Sequence, residues 1–288
     1  SFIEFFSGSN ILGYGKVYGD RIVSFFKDEP IVGGYLSAFI FIIIGYFFDK
    51  FIEKDLRFKI LLVFIIFFLF SAVLITGERS NGIKVTFGLI LFFILNKKLN
   101  FNYKIFTLLS VITIFLFAIL NSSYLKNRYY NMFVYHFTDS ERLSIFLKKQ
   151  HYSKLYKSGI AIFKDYPFFG VGNKNYRVES CLKENRKSSN YLCATHPHQI
   201  YLEFLSEHGL FGTLILLSIL FYLIFKNYKK MIIKKNLIQL GCFCYLLTNF
   251  IPFMPGGSFF ADFNATFFWL NFSIYYAINA ETNIFNKK

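Results

Sequence analysis

No glycine-rich phosphate loop of the Walker type occurs in this chain, no Gly-x-Ser-x-Gly nucleophile elbow and no His-Glu-x-x-His zinc signature. Their absence argues against P-loop nucleotide hydrolysis, serine-type acyl transfer and zincin chemistry. Gly170-Val171-Gly172 lacks the strand–turn–helix setting of a dinucleotide site and reads as a turn. Paired aspartates of the kind that hold a divalent cation are missing. Internal repeats, low-complexity tracts and long flexible linkers are missing too. Cysteine is held to four residues and histidine to five, so the position of each carries weight.

Apolar surface is what the chain has in excess. Of 288 residues 55% are hydrophobic, with 42 Phe and 20 Tyr. Apolar runs at 31–48 and 60–75 exceed what a soluble core of this size needs. Stretches of roughly 18 apolar residues read as membrane helices. Helices are predicted near 30–48, 58–76, 82–96, 104–121, 209–225, 237–254 and 263–279. The expected fold is an all-α polytopic membrane protein, a bundle of about seven transmembrane helices with one large periplasmic loop domain. The organisation divides as 1–121 (four helices and the Arg79 turn), 122–208 (the loop domain) and 209–288 (three helices and a tail).

The formal charge of +15 does not point to nucleic acid, because much of it lies in short clusters between apolar runs. Lys50/Lys54/Arg57/Lys59, Lys97/Lys98/Lys104 and Lys226/Lys229/Lys230/Lys234/Lys235 follow alternate spans, and Lys287-Lys288 end the tail. By the positive-inside rule these face the cytoplasm. Residues 1–29, the 76–82 turn, the 122–208 loop and the 253–262 turn then face the other side. The first segment has no signal-peptide pattern and starts at Ser1, so the chain reads as the later part of a longer protein.

Within the loop, residues 148–164 carry Leu147-flanked apolar spacing (Leu155, Ile160, Phe163) that predicts a surface helix, ended by Asp165-Tyr166-Pro167. Cys242 and Cys244 fall in an apolar span and read as small hydrophobes. Cys181 and Cys193 lie in the loop. They can form a disulfide, stay as thiols, or join His196 and His198 in a metal site; an oxidising exterior favours the disulfide.

Three histidines fall in the run His196-Pro197-His198-Gln199-Ile200-Tyr201-Leu202-Glu203-Phe204-Leu205-Ser206-Glu207-His208-Gly209. Pro197 suits the first turn of a helix, and Ile200/Phe204 and Tyr201/Leu205 are four apart. His198 is therefore expected in the first helical turn, where the dipole favours neutral imidazole and the open amides favour an anion. The plainer reading is that these histidines border a helix. Arg79, in the turn Thr76-Gly77-Glu78-Arg79-Ser80, can grip phosphate oxygens bidentately or pair with Glu78 at the interface. Arg142 is a second candidate clamp, with an ion pair to Asp139 as its plainer role, and Arg21 a third. Among acids, Asp139, Glu141, Asp165, Glu203 and Glu207 can serve as a base, but none has a distinctive setting.

Taken in order, Thr76-Gly-Glu-Arg79-Ser80, Ser140-Glu-Arg142-Leu143, Pro167-Phe-Phe-Gly170-Val-Gly172 and His196-Pro-His198-Gln-Ile-Tyr-Leu-Glu-Phe-Leu-Ser-Glu-His-Gly209-Leu-Phe-Gly212 resemble the O-antigen ligase and O-antigen polymerase family. Arg21-Ile-Val-Ser-Phe-Phe-Lys-Asp-Glu-Pro30-Ile-Val-Gly-Gly-Tyr35 resembles a further block upstream. Gln199 departs from the family's more usual Asn. The resemblance implies a glycosyltransferase of the bacterial inner membrane with its active site facing the periplasm. It moves glycan from an undecaprenyl-diphosphate carrier to lipid A-core or to another lipid-linked glycan, with inversion and with no metal or other cofactor. Carried over, Arg79 and Arg142 bind the diphosphate and His198 serves the acceptor hydroxyl. Arg21, His196 and Tyr201 are the candidate substrate-binding residues, and the roles of His196 and His198 can be exchanged. The bilayer is the remaining partner, and no nucleic acid is expected. A transporter of lipid-linked glycan is the alternative from another class; its polar elements would sit near mid-membrane. A non-catalytic assembly partner is a third.

Overall fold

The computed structural model describes residues 1–16, 21–27, 29–131, 151–182, 184 and 188–283. Among these residues the regular elements are all helices, and the isolated β-bridge among them joins Ser9 and Gly15. The helices are α1 (Phe2–Ser7), α2 (Val32–Phe51), α3 (Leu56–Ile75), α4 (Arg79–Leu95), α5 (Phe101–Asn121), α6 (His151–Asp165), α7 (Tyr176–Ser180), α8 (Ile200–Lys226), α9 (Tyr228–Lys234), α10 (Leu237–Thr248) and α11 (Asp262–Ala277). Between α5 and α6 come the single turn Ser123–Leu125 and the π-helical turn Lys126–Asn131.

Every predicted span has a helix at its place, but their lengths differ. Four stretches among the described residues, Val32–Phe51, Leu56–Ile75, Phe101–Asn121 and Ile200–Lys234, are long and apolar enough to cross a membrane. The chain is thus a multi-pass membrane protein. Helices α4, α10 and α11 have 17, 12 and 16 residues. They rise only about 26, 18 and 24 Å, against a hydrocarbon core of about 30 Å. The expectation that the sixth span runs to residue 254 is corrected: α10 ends at Thr248. Asn249 turns its amide back to the Tyr245 carbonyl, and Pro252 disfavours helix at the residue before it.

The chain folds as two compact units. Unit 1 comprises Ser1–Phe133, Asn227–Asn249 and Phe267–Lys288. In it α2 and α10 cross closely because both carry glycine at the contact: a Cβ on Gly45 would strike the Leu237 backbone, and one on Gly241 would strike the Phe41 carbonyl. Lipid chains are as apolar as leucine, so close backbone packing replaces hydrophobic burial as the cause of association. Asp49 sets the register, taking the Lys98 ammonium at 2.6 Å and the Leu237 N–H at 3.2 Å. On α11, Asn271 donates to the Ala38 carbonyl of α2 at 3.0 Å. The bare faces of α3 (Phe64, Phe67, Phe68) and α5 (Leu116, Phe117, Leu120) suit contact with acyl chains.

Unit 2 comprises Val134–Lys226 and Phe250–Thr266. The surface helix expected from residue 148 is α6, whose described part begins at His151; residues 148–150 lie outside the described residues. Leu155 and Ile162 are buried, and Gly159 lets Pro197 and Leu202 approach to 3.1 and 3.2 Å of where its Cβ would stand. The Tyr176 hydroxyl donates to Ser158 at 2.9 Å. Cys181 and Cys193 form a disulfide. These ties fix the strand of chain that leads into His196.

Helix α8 is broken at Gly209, which has φ 63° and ψ −170°. A helix end leaves backbone groups without partners. Residues 167–172 take them: Leu210 N–H donates to the Pro167 carbonyl (2.8 Å) and Phe211 N–H to that of Phe168 (3.2 Å). In return, Val171 N–H donates to Ser206 (3.0 Å) and Gly172 N–H to Glu207 (2.8 Å). The Pro167–Gly172 and His208–Gly212 motifs are thus two sides of one backbone clasp.

Candidate active site

The arginine turn belongs to unit 1. Thr76 starts it: its hydroxyl donates to the Val73 carbonyl at 2.7 Å and accepts the Glu78 N–H at 3.2 Å. Gly77 follows with φ 72°, and a side chain there would collide with the Tyr124 hydroxyl. Gly82 similarly leaves space for the Tyr129 hydroxyl. Arg79 opens α4.

Two more guanidinium groups gather at this turn. Arg128 is 4% exposed and donates to the Gly77 carbonyl from Nε (3.2 Å) and Nη2 (2.9 Å). Arg21 precedes Ile22, whose N–H donates to the Thr76 carbonyl at 3.2 Å. The buried Glu4 carboxylate holds that segment through the Val23 and Ser24 N–H groups at 2.8 and 2.7 Å. Arg21 Nε is buried with no hydrogen-bond partner among the described residues, and so is the Tyr129 hydroxyl.

Glu78 stands at the centre. Its carboxylate accepts the Gly33 N–H at 2.5 Å and the Asn81 amide at 2.6 Å, so it caps the start of α2. Burial pushes this carboxyl up to about 7, against the pull of Gly33, Asn81 and the Arg21 charge. The Tyr129 phenol is also held above its ordinary range, chiefly by burial, with Tyr124 and Glu78 adding to the effect and Arg128 and Arg79 opposing it. Arg79, Arg128, Glu78 and Tyr129 are therefore electrostatic neighbours.

The histidine turn belongs to unit 2. Sequence reasoning expects His198 in the first turn of the helix behind Pro197. Instead the helix starts at Ile200 and Gln199 caps it, its side-chain oxygen accepting the Leu202 N–H at 2.8 Å. His198 stands outside with φ 56°. Gly256 holds it there: Gly256 N–H donates to the His198 carbonyl at 2.9 Å, and His198 Nδ1 lies 3.1 Å from the Gly256 carbonyl. A carbonyl only accepts, so Nδ1 donates in this contact and carries a proton. Tyr152 stands edge-on to the His198 ring at 5.8 Å between centroids.

His196 lies against His198, ring centroids 3.9 Å apart. Its Nδ1 is 2.9 Å from the Thr195 hydroxyl, while Nε2 is buried without a hydrogen-bond partner among the described residues. Burial lowers its basicity to about 4; the His198 charge works in the same direction and a Gly256 backbone contact against it. Tyr201 commits its hydroxyl hydrogen to the Phe250 carbonyl at 2.6 Å. Glu203 and Glu207 are buried and hold loops: Glu203 accepts from Ser258 and from Phe259 N–H (2.9 Å), Glu207 from Lys174 N–H (2.9 Å).

The structure therefore gathers Arg21 with Arg79 in unit 1 and His196, His198 and Tyr201 in unit 2. Arg142 lies outside the described residues. Sequence reasoning missed Arg128 and the Gly256 anchor. An arginine among tyrosines just past an apolar span was a usable signal for the first; a backbone carbonyl offers none for the second. No three His, Cys, Asp or Glu side chains converge as a metal site would require among the described residues.

The family described as O-antigen ligase matches residues 64–217, more than half of the chain. This stretch includes Arg79, Arg128 and the histidine turn, while the Arg21 block lies outside it. The chain belongs to the O-antigen ligase family, which also takes in polymerase-type members and is in general enzymatic. No curated protein matches it.

Proposed function

We propose that this protein transfers glycan from an undecaprenyl-diphosphate carrier to a hydroxyl of lipid A-core at the periplasmic face of the inner membrane. The observation that carries the reading is the convergence of Arg21, Arg79 and Arg128 on one turn at the end of an apolar helix, in a chain of this family. Three fixed cations beside a membrane suit a lipid-linked diphosphate. The Cys181–Cys193 disulfide supports an oxidising, periplasmic setting for unit 2.

In this reading His198 Nε2 takes the proton of the acceptor hydroxyl, whose oxygen attacks the anomeric carbon with inversion. The bond from that carbon to the phosphate oxygen breaks, and Arg79, with Arg142 as a second clamp, stabilises the charge on the departing diphosphate. Arg128 braces the turn through the Gly77 carbonyl and adds its charge to that of the clamp. His196 and Tyr201 shape the acceptor side. Reconstitution of the protein with lipid-linked glycan and lipid A-core tests the reading. Attachment of glycan to the core supports it; extension of one lipid-linked glycan by another moves the assignment to polymerase; movement of lipid across the bilayer without transfer replaces it with transport.

A further inference from the structure

The hydrogen bonds of the arginine turn are incomplete in one particular sense. Arg21 Nε and the Tyr129 hydroxyl are buried donors without acceptors among the described residues, and both are linked electrostatically to one carboxyl, that of Glu78: the Arg21 charge acts on it, and it acts on the Tyr129 phenol. Glu78 is 9% exposed. It fits only because residue 33 is glycine: a Cβ there would lie 2.9 Å from its carboxyl carbon and 3.0 Å from Oε2. The charged and titratable groups around it and its neighbours Gly77 and Tyr129 are Arg21 from the amino-terminal segment, Arg79 from α4, and Arg128 and Tyr124 beyond α5. From α2 it receives only backbone N–H groups and no charge. Glu78 is thus the anion already present where the foregoing reading places a second one.

Resting on that reading, we propose that Glu78 is a resident counter-ion which takes up a proton from solvent when the donor's diphosphate enters the arginine turn, so that donor binding is proton-linked. The chemistry balances simply. In a glycan-linked diphosphate each phosphorus carries one ester and the shared anhydride oxygen, so the group brings two permanent negative charges. Beside these a buried carboxylate is disfavoured, and adding one proton to it relieves the repulsion without breaking any covalent bond. Oε1 can keep the Gly33 N–H, and the Asn81 amide can turn its oxygen toward the new O–H. Because burial already holds this carboxyl near neutrality, a small further push suffices. Affinity should be nearly level below about pH 6 and fall by up to about tenfold per pH unit above pH 7, as one proton taken up requires.

The test is calorimetry of the detergent-solubilised full chain with a short-chain prenyl diphospho-sugar, in buffers of different ionisation enthalpy. This probe has no phosphate that titrates near neutrality. The expected result is net proton uptake near pH 7.5 in the native protein, with Glu78→Gln binding at an affinity that does not change between about pH 6 and pH 8.5. Binding by the native protein without proton uptake overturns the proposal and leaves the donor site standing, and this count needs no variant. Retention of the pH slope by Glu78→Gln also overturns it. Failure of the native protein to bind the probe at any pH overturns the donor site as well.

Discussion

Gly170 and Gly209 each press against the backbone just ahead of the other, and neither position has room for a side chain. A Cβ on Gly170 would strike the Glu207 carbonyl and the His208 nitrogen; one on Gly209 would strike the Phe168 carbonyl and the Phe169 nitrogen. Both have positive φ, 68° and 63°. Gly209→Ala combines collision with a backbone region that is almost closed to other residues, and should cost at least about 2 kcal/mol. Gly170→Ala should do the same, and the double variant should cost less than the sum because one clasp is lost in either case. Thermal unfolding in detergent measures all three.

Arg79 and Arg128 should separate cleanly. Arg128→Ala leaves the Gly77 carbonyl without its donor and should cost roughly 1.5–3 kcal/mol of stability. Arg79→Lys keeps charge but loses the planar fork. Its unfolding temperature should stay near that of the native protein while glycan transfer drops at least about tenfold, near 1.4 kcal/mol of transition-state binding. Near-native transfer by Arg79→Lys would remove the clamp from the mechanism.

His198→Ala should reduce transfer by roughly 100- to 10,000-fold, the usual span for a lost general base. Gly256 supports that imidazole by its backbone alone, so Gly256→Ala keeps both contacts and should leave turnover near native, whereas Gly256→Pro removes the N–H that fixes the His198 carbonyl and should harm turnover by letting the ring rotate. Rate measurements at saturating donor, with folding checked by calorimetry, distinguish rotation from collapse.

His196 sets an acid limit. Its folded-state value near 4 lies below the ordinary 6.5, so the fold favours the uncharged ring. The stability this contributes is complete above about pH 6.5 and is lost as pH falls toward 4. The native protein should therefore soften across that window, and His196→Gln should soften less. Unfolding temperatures taken between pH 7 and about pH 4 check the sign.

Opening the Cys181–Cys193 bridge should lower stability by about 3 kcal/mol on the chain-entropy account, and Cys181→Ser should match chemical reduction. Because Ser180 and Ala194 flank the bridge and bond each other, the segment entering Thr195 and His196 should loosen first. Hydrogen exchange of residues 191–198, compared with that of α6, reads this directly.

The helices were legible because apolar runs state their own span, and the clasp residues were legible as motifs. What those motifs do was not. Pro167–Gly172 and His208–Gly212 are almost forty residues apart, and only the folded backbone shows that one completes the other. The helix start was misplaced by about one turn because Pro197 is a sound local signal that the Gly256 contact overrides. Gln199 was legible as a departure from the family; its capping of the Leu202 N–H gives that departure a physical role. Arg142 cannot be compared, since it falls outside the described residues.

Glu203 and Glu207 sit one turn apart on the same short rod and grip opposite neighbours, the Ser258–Phe259 corner and the chain at Lys174. Neither corner can drift without tugging the rod, and the rod cannot roll without dragging both. A load on one rim of this unit is felt at the other, which makes the region a single stiff jaw.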